Sequence, residues 1–211
     1  MGERAKRSVA GLLACLLGLM LLTGLTYRPG PFQRLDAEAL SRLSAATGSS
    51  AAEVAGLAMH SADLLPLLVL LAVVCGLALC LGRRRDAIIA LILVAGANLT
   101  TQLLKAALAH PRYQPVLGYR QIGASSFPSG HATAAVSIVL AFVLVVPRSW
   151  RPLSVLAGAA FALAVGCSVV ILNRHFPSDV LGGWLVAGAW FFAVFAVLSP
   201  RARGSQVTLG D

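Results

Sequence analysis

The segment LLPLLVLLAVVCGLALCLG, residues 64–82, carries no charged side chain over 19 positions. A helix of about 20 apolar residues crosses the hydrocarbon core of a bilayer, so this segment indicates a membrane protein. Because lipid offers the backbone no hydrogen-bond partners, the segment is predicted to be a helix. Five other segments have the same character: residues 8–27, 87–104, 127–146, 153–173 and 180–199. The predicted fold class is therefore all-α, a polytopic bundle of six transmembrane helices.

The composition of the whole chain agrees with this class. Of 211 residues, 58% are hydrophobic and only 12% are charged, whereas soluble domains carry about 25% charged residues. The 17 basic residues outnumber the 8 acidic ones, a balance that can indicate a nucleic-acid partner. The basic residues lie between the apolar segments, however, so we expect the lipid bilayer and no nucleic acid as a partner.

Ten of the 17 basic residues fall on one predicted side of the membrane. Under the positive-inside rule this side is cytoplasmic, which places both termini inside, in tails 1–7 and 200–211. The three outer connections are then residues 28–63, 105–126 and 174–179. The ten basic residues are Arg4, Lys6, Arg7, Arg83, Arg84, Arg85, Arg148, Arg151, Arg201 and Arg203.

The first outer connection is the longest and has an amphipathic pattern. Its apolar residues recur at helical spacing on both sides of a break at Gly48-Ser49-Ser50. We expect short helices on the membrane surface, which either guide a lipid headgroup or simply close the bundle. The apolar positions are Phe32, Leu35, Ala39, Leu43, Val54 and Leu57.

The chain is predicted to be a single membrane domain, 1–211, with a core over about 60–198. A cleaved signal peptide is the alternative for residues 8–27, but Thr26-Tyr27-Arg28 is a poor cleavage site. The four cysteines all fall within apolar segments, and no HExxH motif, carboxylate cluster or Walker loop occurs. We therefore expect no metal and no cofactor.

Two cations stand at the membrane edge, where charge is costly. Lys105 ends the third apolar segment and Arg112 follows seven residues later, although Pro111 disfavours a continuous helix between them. Together they can neutralise a phosphate, Arg112 as a bidentate fork and Lys105 as a point charge. The alternative is that each side chain snorkels to the interface.

Residues 125–133 lead into the fourth predicted helix. With Pro128 in the first turn, the N–H groups of Ser129, Gly130 and His131 would form an anion site at the positive end of the helix dipole. Gly130 lets a ligand oxygen approach the backbone closely. His131 can donate a proton to a leaving alkoxide, although a lone histidine at a helix start is more often structural.

Residues 173–179 join the fifth and sixth predicted helices. His175 precedes the new helix and Asp179 lies in its first turn, so the carboxylate can hold the imidazole in one tautomer. The alternative is an aspartate cap beside an unrelated histidine. The residues alone leave open whether His175 or His131 is the nucleophile.

In order and spacing these segments resemble the motifs of the type 2 phosphatidic acid phosphatases, also called lipid phosphate phosphatases, which are related in fold to vanadium haloperoxidases. The first family motif is Lys, six residues, Arg-Pro. Lys105 and Arg112 match it, with Tyr113 at the position of the proline. The second motif, Pro-Ser-Gly-His, matches residues 128–131 in full.

The third family motif is Ser-Arg, five residues, His, three residues, Asp. Ser168, His175 and Asp179 match it, whereas Val169 stands in place of the arginine. Removing a donor that stabilises transition-state charge typically costs ~10²–10³ in rate, so we expect a substitute. The candidates are Arg174, which we favour, Asn173, one helical turn beyond position 169, and Arg120.

The resemblance implies a metal-independent phosphatase that works through a phosphohistidine. It makes His175 the nucleophile, Asp179 its orienting partner and His131 the general acid. The phosphate-binding residues that it implies are Lys105, Arg112, Ser129 and Gly130.

We therefore predict an enzyme, an integral membrane phosphatase that acts on the extracytoplasmic side of the cell membrane. Its substrate would be a lipid phosphate or an isoprenyl diphosphate, either undecaprenyl-diphosphate-like or phosphatidate-like. The alternatives are a lipid phosphotransferase, a non-catalytic anionic-lipid-binding protein or transporter, and a purely structural bundle. The sequence does not determine the lipid, the number of phosphates or the oligomeric state.

Overall fold

A computed structural model describes residues 3–45, 48–112 and 122–198, and across these ranges the regular secondary structure is helical throughout. This confirms the predicted all-α class. The helices of the described ranges are α1 (Glu3–Tyr27), α2 (Pro31–Ala45), α3 (Ser49–His60), α4 (Leu64–Cys80), α5 (Arg84–Ala107), α6 (Gly130–Val145), α7 (Arg151–Ile171) and α8 (Pro177–Leu198), with a 3₁₀ turn at Arg148–Trp150 before α7.

Each of the six predicted segments coincides with a helix, but fewer than six helices meet the length and hydropathy expected of a span. Four do so: α1, α5, α7 with its preceding 3₁₀ turn, and α8. The pair α3–α4, bent by 53°, raises the number to five at most. The 16 residues of α6 extend about 24 Å at 1.5 Å per residue, less than the ~30 Å hydrocarbon core. A multi-pass membrane protein is supported, whereas the count of six spans is not confirmed.

Helix α6 lies at the centre of the bundle, where it packs against α4, α5, α7 and α8. Small residues permit the close approach: a Cβ added to Gly183 of α8 would lie 2.6 Å from the carbonyl oxygen of Ser129. Thr133 Oγ1 lies 2.9 Å from Thr101 Oγ1 of α5 and 3.3 Å from the carbonyl oxygen of Gly183. Hydrogen bonds between helices therefore fix the first turn of α6.

The two ends of α6 have different surroundings. At its C-terminal end Arg83 donates to the carbonyl of Val145 at 2.8 Å, and Arg151 donates to the carbonyl of Leu144 at 3.2 Å. These cations cap the negative end of the helix dipole. The segments with the predicted site residues meet at the opposite end of the bundle, around the N-terminus of α6.

The first outer connection contains two short helices, α2 and α3, as predicted. The inward face of α2 fully buries Ala37 and Leu40 in a cluster with residues near the start of α8. The predicted apolar positions Leu35 and Leu43 lie instead on its exposed face, where a membrane surface can cover them. The inward face also carries a buried carboxylate, Asp36.

Candidate active site

A cavity of about 510 Å³ lies where α5 and α7 end and α6 begins. His131 and His175 both line it, together with Lys105 and Arg174. Two imidazoles and two of the predicted cations therefore share one space, which is the arrangement that the sequence predicted.

The turn after α7 brings His175 into the cavity. Asn173 adopts the left-handed conformation, with φ 56°, and its N–H donates to the carbonyl of Val170 at 2.9 Å. The N–H of Arg174 donates to the carbonyl of Val169 at 2.9 Å. This pair of bonds is a Schellman motif, which asparagine tolerates better than most residues. Asn173 therefore does not continue the helical face of Val169, contrary to the prediction, because the chain reverses there.

His175 has the predicted carboxylate partner. Its Nδ1 lies 3.3 Å from Oδ2 of Asp179, which also accepts the N–H of Phe176 at 3.0 Å. Asp179 is fully buried, and His175 is 7% exposed. Because a carboxylate only accepts hydrogen bonds, Nδ1 carries the proton and Nε2 keeps its lone pair. This is the tautomer required of a histidine that attacks through Nε2.

Arg112 lies behind Asp179 rather than in the cavity wall, with 4% of its side chain exposed. Its guanidinium donates to Oδ1 of Asp179 at 2.5 Å, to Ser178 Oγ at 2.9 Å and to Ser126 Oγ at 3.1 Å. It also stacks on the Phe176 ring, 3.9 Å from the centroid. A bidentate contact between Arg112 and phosphate, as predicted, would require these bonds to be exchanged.

Asp36 of α2 is a further member of this network that the sequence analysis missed. Its Oδ1 accepts the N–H of Ser178 at 3.0 Å, and its Oδ2 accepts the Ser178 hydroxyl at 2.5 Å. Arg112 lies 3.4 Å from Oδ2. Burial raises the pKa of Asp36, while the bonds from Ser178 and the charge of Arg112 lower it. The available signal was that Asp36 shares a helical face with Leu40, four residues on.

The start of α6 differs in detail from the prediction. The helix begins at Gly130 rather than near Pro128, and the Oγ of Ser129 caps the N–H three residues on at 3.4 Å. The N–H of Ser129 donates to the carbonyl of Asp179 at 2.8 Å. The predicted use of this amide as a phosphate donor would require this bond to be exchanged. The first-turn amides of Gly130 and His131 remain as the predicted anion site.

His131 has a partner that was not predicted. Its Nε2 lies 2.9 Å from Oδ1 of Asp63, whose Oδ2 lies 2.8 Å from Nδ1 of His60. Asp63 directly precedes an apolar segment and is typical of a helix cap. Nothing in the local sequence distinguishes it from one.

The other predicted site residues fall into three groups. Lys105 reaches the cavity from the last turn of α5, and Arg174 is exposed at its wall. Val169 is fully buried in the cluster beneath the site. Arg120 and Tyr113 lie outside the described residues.

Within residues 3–45, 48–112 and 122–198, no group of three or more His, Cys, Asp or Glu side chains is arranged to hold a metal ion.

The bundle and its cavity define a class of protein, a helical membrane protein with two histidine–carboxylate pairs and two cations around one cavity. The chain belongs to the PAP2 superfamily, whose sequence model matches residues 86–203.

Individual relatives support the same placement. The chain is 34% identical over 119 residues to a lipid A 1-phosphatase of Rhizobium johnstonii, covering 51% of this chain and 46% of that protein. It is 33% identical over 119 residues to a lipid A 1-phosphatase of Rhizobium etli, covering 51% of this chain and 48% of the relative. The match thus spans about half the length of each relative.

One solved structure shares the fold. It is the crystal structure of the first transmembrane PAP2 type phosphatidylglycerolphosphate phosphatase from Bacillus subtilis, matched with a TM-score of 0.71 and 24% identity. The alignment covers 87% of this chain and 93% of the other. The likeness in fold therefore covers most of the chain.

Proposed function

We propose that this protein is a membrane phosphatase that hydrolyses a lipid phosphate or an isoprenyl diphosphate through a phosphohistidine. The observation that carries the proposal is that His175, held through Nδ1 by Asp179, lines the same cavity as His131 and Lys105. The names of the matched relatives, lipid A 1-phosphatase and phosphatidylglycerolphosphate phosphatase, support a lipid phosphate as substrate.

The reaction proceeds in two balanced steps. In the first, Nε2 of His175 attacks phosphorus, the bond from phosphorus to the leaving oxygen breaks, and that oxygen takes a proton from His131. In the second, a water molecule gives a proton to His131 and attacks the phosphohistidine, which releases phosphate and restores both rings. Neither step uses a metal or an organic cofactor.

Positive charge for the phosphoryl oxygens comes from Lys105 and Arg174, with the amides of Gly130 and His131 as neutral donors. Arg174 takes the place of the family arginine, because it lines the cavity while Val169 is buried beneath it. Arg112 acts mainly through Asp179, to which its guanidinium is bonded.

The site faces the extracytoplasmic side, with both termini in the cytoplasm and six crossings of the membrane. Two features support this topology. Arg83 and Arg151 lie at the end of the bundle opposite the cavity, as the positive-inside rule requires. Residues 122–129, which precede α6, are irregular backbone, and residues 122–126 line the polar cavity, where such backbone is tolerated at membrane depth.

A lipid phosphotransferase is the second candidate. A cavity of about 510 Å³ admits an acceptor alcohol as well as water, and the phosphohistidine would react with either. Product analysis with added lipid alcohols separates the two activities, because a transferase forms a new lipid phosphate in place of inorganic phosphate.

The proposed function is tested by release of inorganic phosphate from detergent-solubilised protein in EDTA, with a panel of lipid phosphates and diphosphates as substrates. We expect release from at least one lipid, unaffected by EDTA, and its loss in His175→Ala. The control is His110→Ala, since His110 is exposed and not part of the cavity wall.

Acid quenching during turnover should trap a phosphoenzyme with the acid lability of phosphohistidine. A His175→Ala protein that retains full activity, or activity that EDTA abolishes, would contradict the proposal.

A further inference from the structure

We infer that Asp63 is the positioning residue of His131, holding the ring through Nε2 so that Nδ1 delivers the proton to the leaving oxygen. This inference rests on the proposed function for its catalytic meaning. Asp63 lies before the residues that the family model matches, 86–203, so the family motifs do not include it.

The position of Asp63 in the chain supports this role. It occupies the N-cap position of α4, where aspartate usually accepts a hydrogen bond from the first turn, yet its side chain makes no capping bond. Its Oδ1 lies 2.9 Å from Nε2 of His131, and its Oδ2 lies 2.8 Å from Nδ1 of His60. The carboxylate is thus held from both sides by imidazoles rather than by the helix that it precedes.

The charges around the cavity explain why His131 needs a carboxylate partner. Lys105 and the ring of His175 line the same cavity as His131, and both disfavour its protonated form when they are charged. Among the described residues that line the cavity, Asp63 is the sole carboxylate. Its negative charge favours the imidazolium that a general acid requires.

Asp63 is ionised when the enzyme works. Hydrogen bonds from His60 and then His131 lower the pKa of Asp63, which lies between α3 and α4. A carboxylate with a lowered pKa is charged across the neutral range. The Nε2–H of His131 therefore has a constant acceptor.

The geometry gives the two rings opposite tautomers. Asp179 holds Nδ1 of His175 and leaves Nε2 to attack phosphorus, whereas Asp63 holds Nε2 of His131 and leaves Nδ1 to donate. After His131 gives up its Nδ1 proton, the neutral ring keeps its Nε2–H on Asp63. The same Nδ1 then accepts the proton of the attacking water.

The pairing itself is tested without any enzymatic assay. The chain has four histidines, so ¹⁵N NMR of histidine-labelled protein in detergent can be assigned by single substitutions. We expect His131 to be the Nε2–H tautomer at high pH and to titrate at lower pH in Asp63→Asn. Glu53→Gln is the control, because Glu53 is an exposed carboxylate of the neighbouring helix α3. An unchanged titration of His131 in Asp63→Asn would overturn the pairing.

The catalytic role is tested by leaving-group dependence. With a lipid alkyl phosphate, Asp63→Asn should lose about tenfold to a hundredfold in kcat/KM, since general acids contribute about 10²–10⁴. In the pH–rate profile of Asp63→Asn, the fall in activity on the basic side should occur at a lower pH than in the wild-type protein. With p-nitrophenyl phosphate, whose leaving group needs no proton, the two proteins should match in kcat/KM, because kcat/KM reports the steps up to release of the leaving group and not the later attack of water.

Equal losses of kcat/KM with both substrates would overturn the positioning role and assign Asp63 a merely structural one. Failure of the proposed function has a different signature: wild-type protein releases no phosphate from any substrate, while the NMR result for His131 stands.

Discussion

Arg174 is the residue that we propose compensates for the valine at position 169. The Schellman turn directs Arg174 away from the axis of α7 and into the cavity wall. Val169 is fully buried among apolar side chains, so an arginine at that position would need to displace part of the cluster. In the proposed site, the cation thus comes from the turn after α7 and not from the helix itself.

Replacing Arg174 with alanine should lower kcat by about 10²–10³, the typical cost of losing one donor to transition-state charge. Phosphate release from the best lipid substrate measures it. Arg42→Ala is the control, since Arg42 is an exposed arginine of α2 that pairs with Glu38. Full turnover in Arg174→Ala, with turnover abolished in Lys105→Ala, would show that position 174 does not supply the missing charge.

At this scale, local sequence spacing identified the residues of the two histidine segments but not their distant partners. His175 and Asp179 lie four residues apart, so helical geometry alone predicts their contact. Asp36 bonds to a residue 142 positions away, and Asp63 to one 68 positions away. No periodicity within α2 or before α4 contains that information, because only the packed bundle brings these segments together.

Among the secondary-structure elements, the contact between α6 and α8 determines the shape of the site. Gly183 lets the first turn of α6 approach the backbone of α8, and Thr133 bonds across the contact. A side chain at position 183 would collide with backbone, which cannot rotate away as a flexible side chain can.

Gly183→Ala should therefore lower the melting temperature in detergent and reduce activity, at a cost of about 1–3 kcal/mol typical of overpacking. Gly76→Ala is the matched control, because a Cβ at position 76 of α4 meets nothing within 4 Å. Alanine there should be neutral or slightly stabilising, as helix propensity favours it over glycine. Equal melting temperatures for the two variants would refute the close-contact argument.

The helices were predictable because each apolar segment must form its own backbone hydrogen bonds in lipid. The start of α6 could not be predicted in this way, since the uncharged segment begins at residue 127 and the helix begins at Gly130. The difference arises because the N–H of Ser129 donates to the carbonyl of Asp179 and the Ser129 hydroxyl caps the helix. A run of apolar residues predicts which part of the chain lipid or the protein core can bury. It does not show at which residue the backbone hydrogen bonds of the helix begin.

For the whole molecule, the position of Arg83 and Arg151 at the end of the bundle opposite the cavity supports the orientation that we propose. Arg83 and Arg151 cap α6 at one end, while the cavity with Lys105 and Arg174 opens at the other. The positive-inside rule orients the first end toward the cytoplasm.

Cysteine labelling in intact cells tests this orientation. Ser125 is exposed at the cavity end and Ser149 is exposed in the connection before α7, so each can be changed to cysteine in a background without the four native cysteines. A membrane-impermeant maleimide should label Ser125→Cys in intact cells and Ser149→Cys only after permeabilisation. The reverse pattern would place the site in the cytoplasm.

The bond from the Ser129 amide to the carbonyl of Asp179 has a practical consequence for genetics at this site. The bond joins main chain to main chain, so replacing the carboxylate leaves the clamp between the two histidine-bearing loops in place. An Asp179→Asn allele, whose amide oxygen can still accept a hydrogen bond from the buried Arg112, should consequently accumulate as membrane-inserted protein instead of being cleared by quality-control proteases. Such an allele offers a ready form of the protein for trapping a bound lipid.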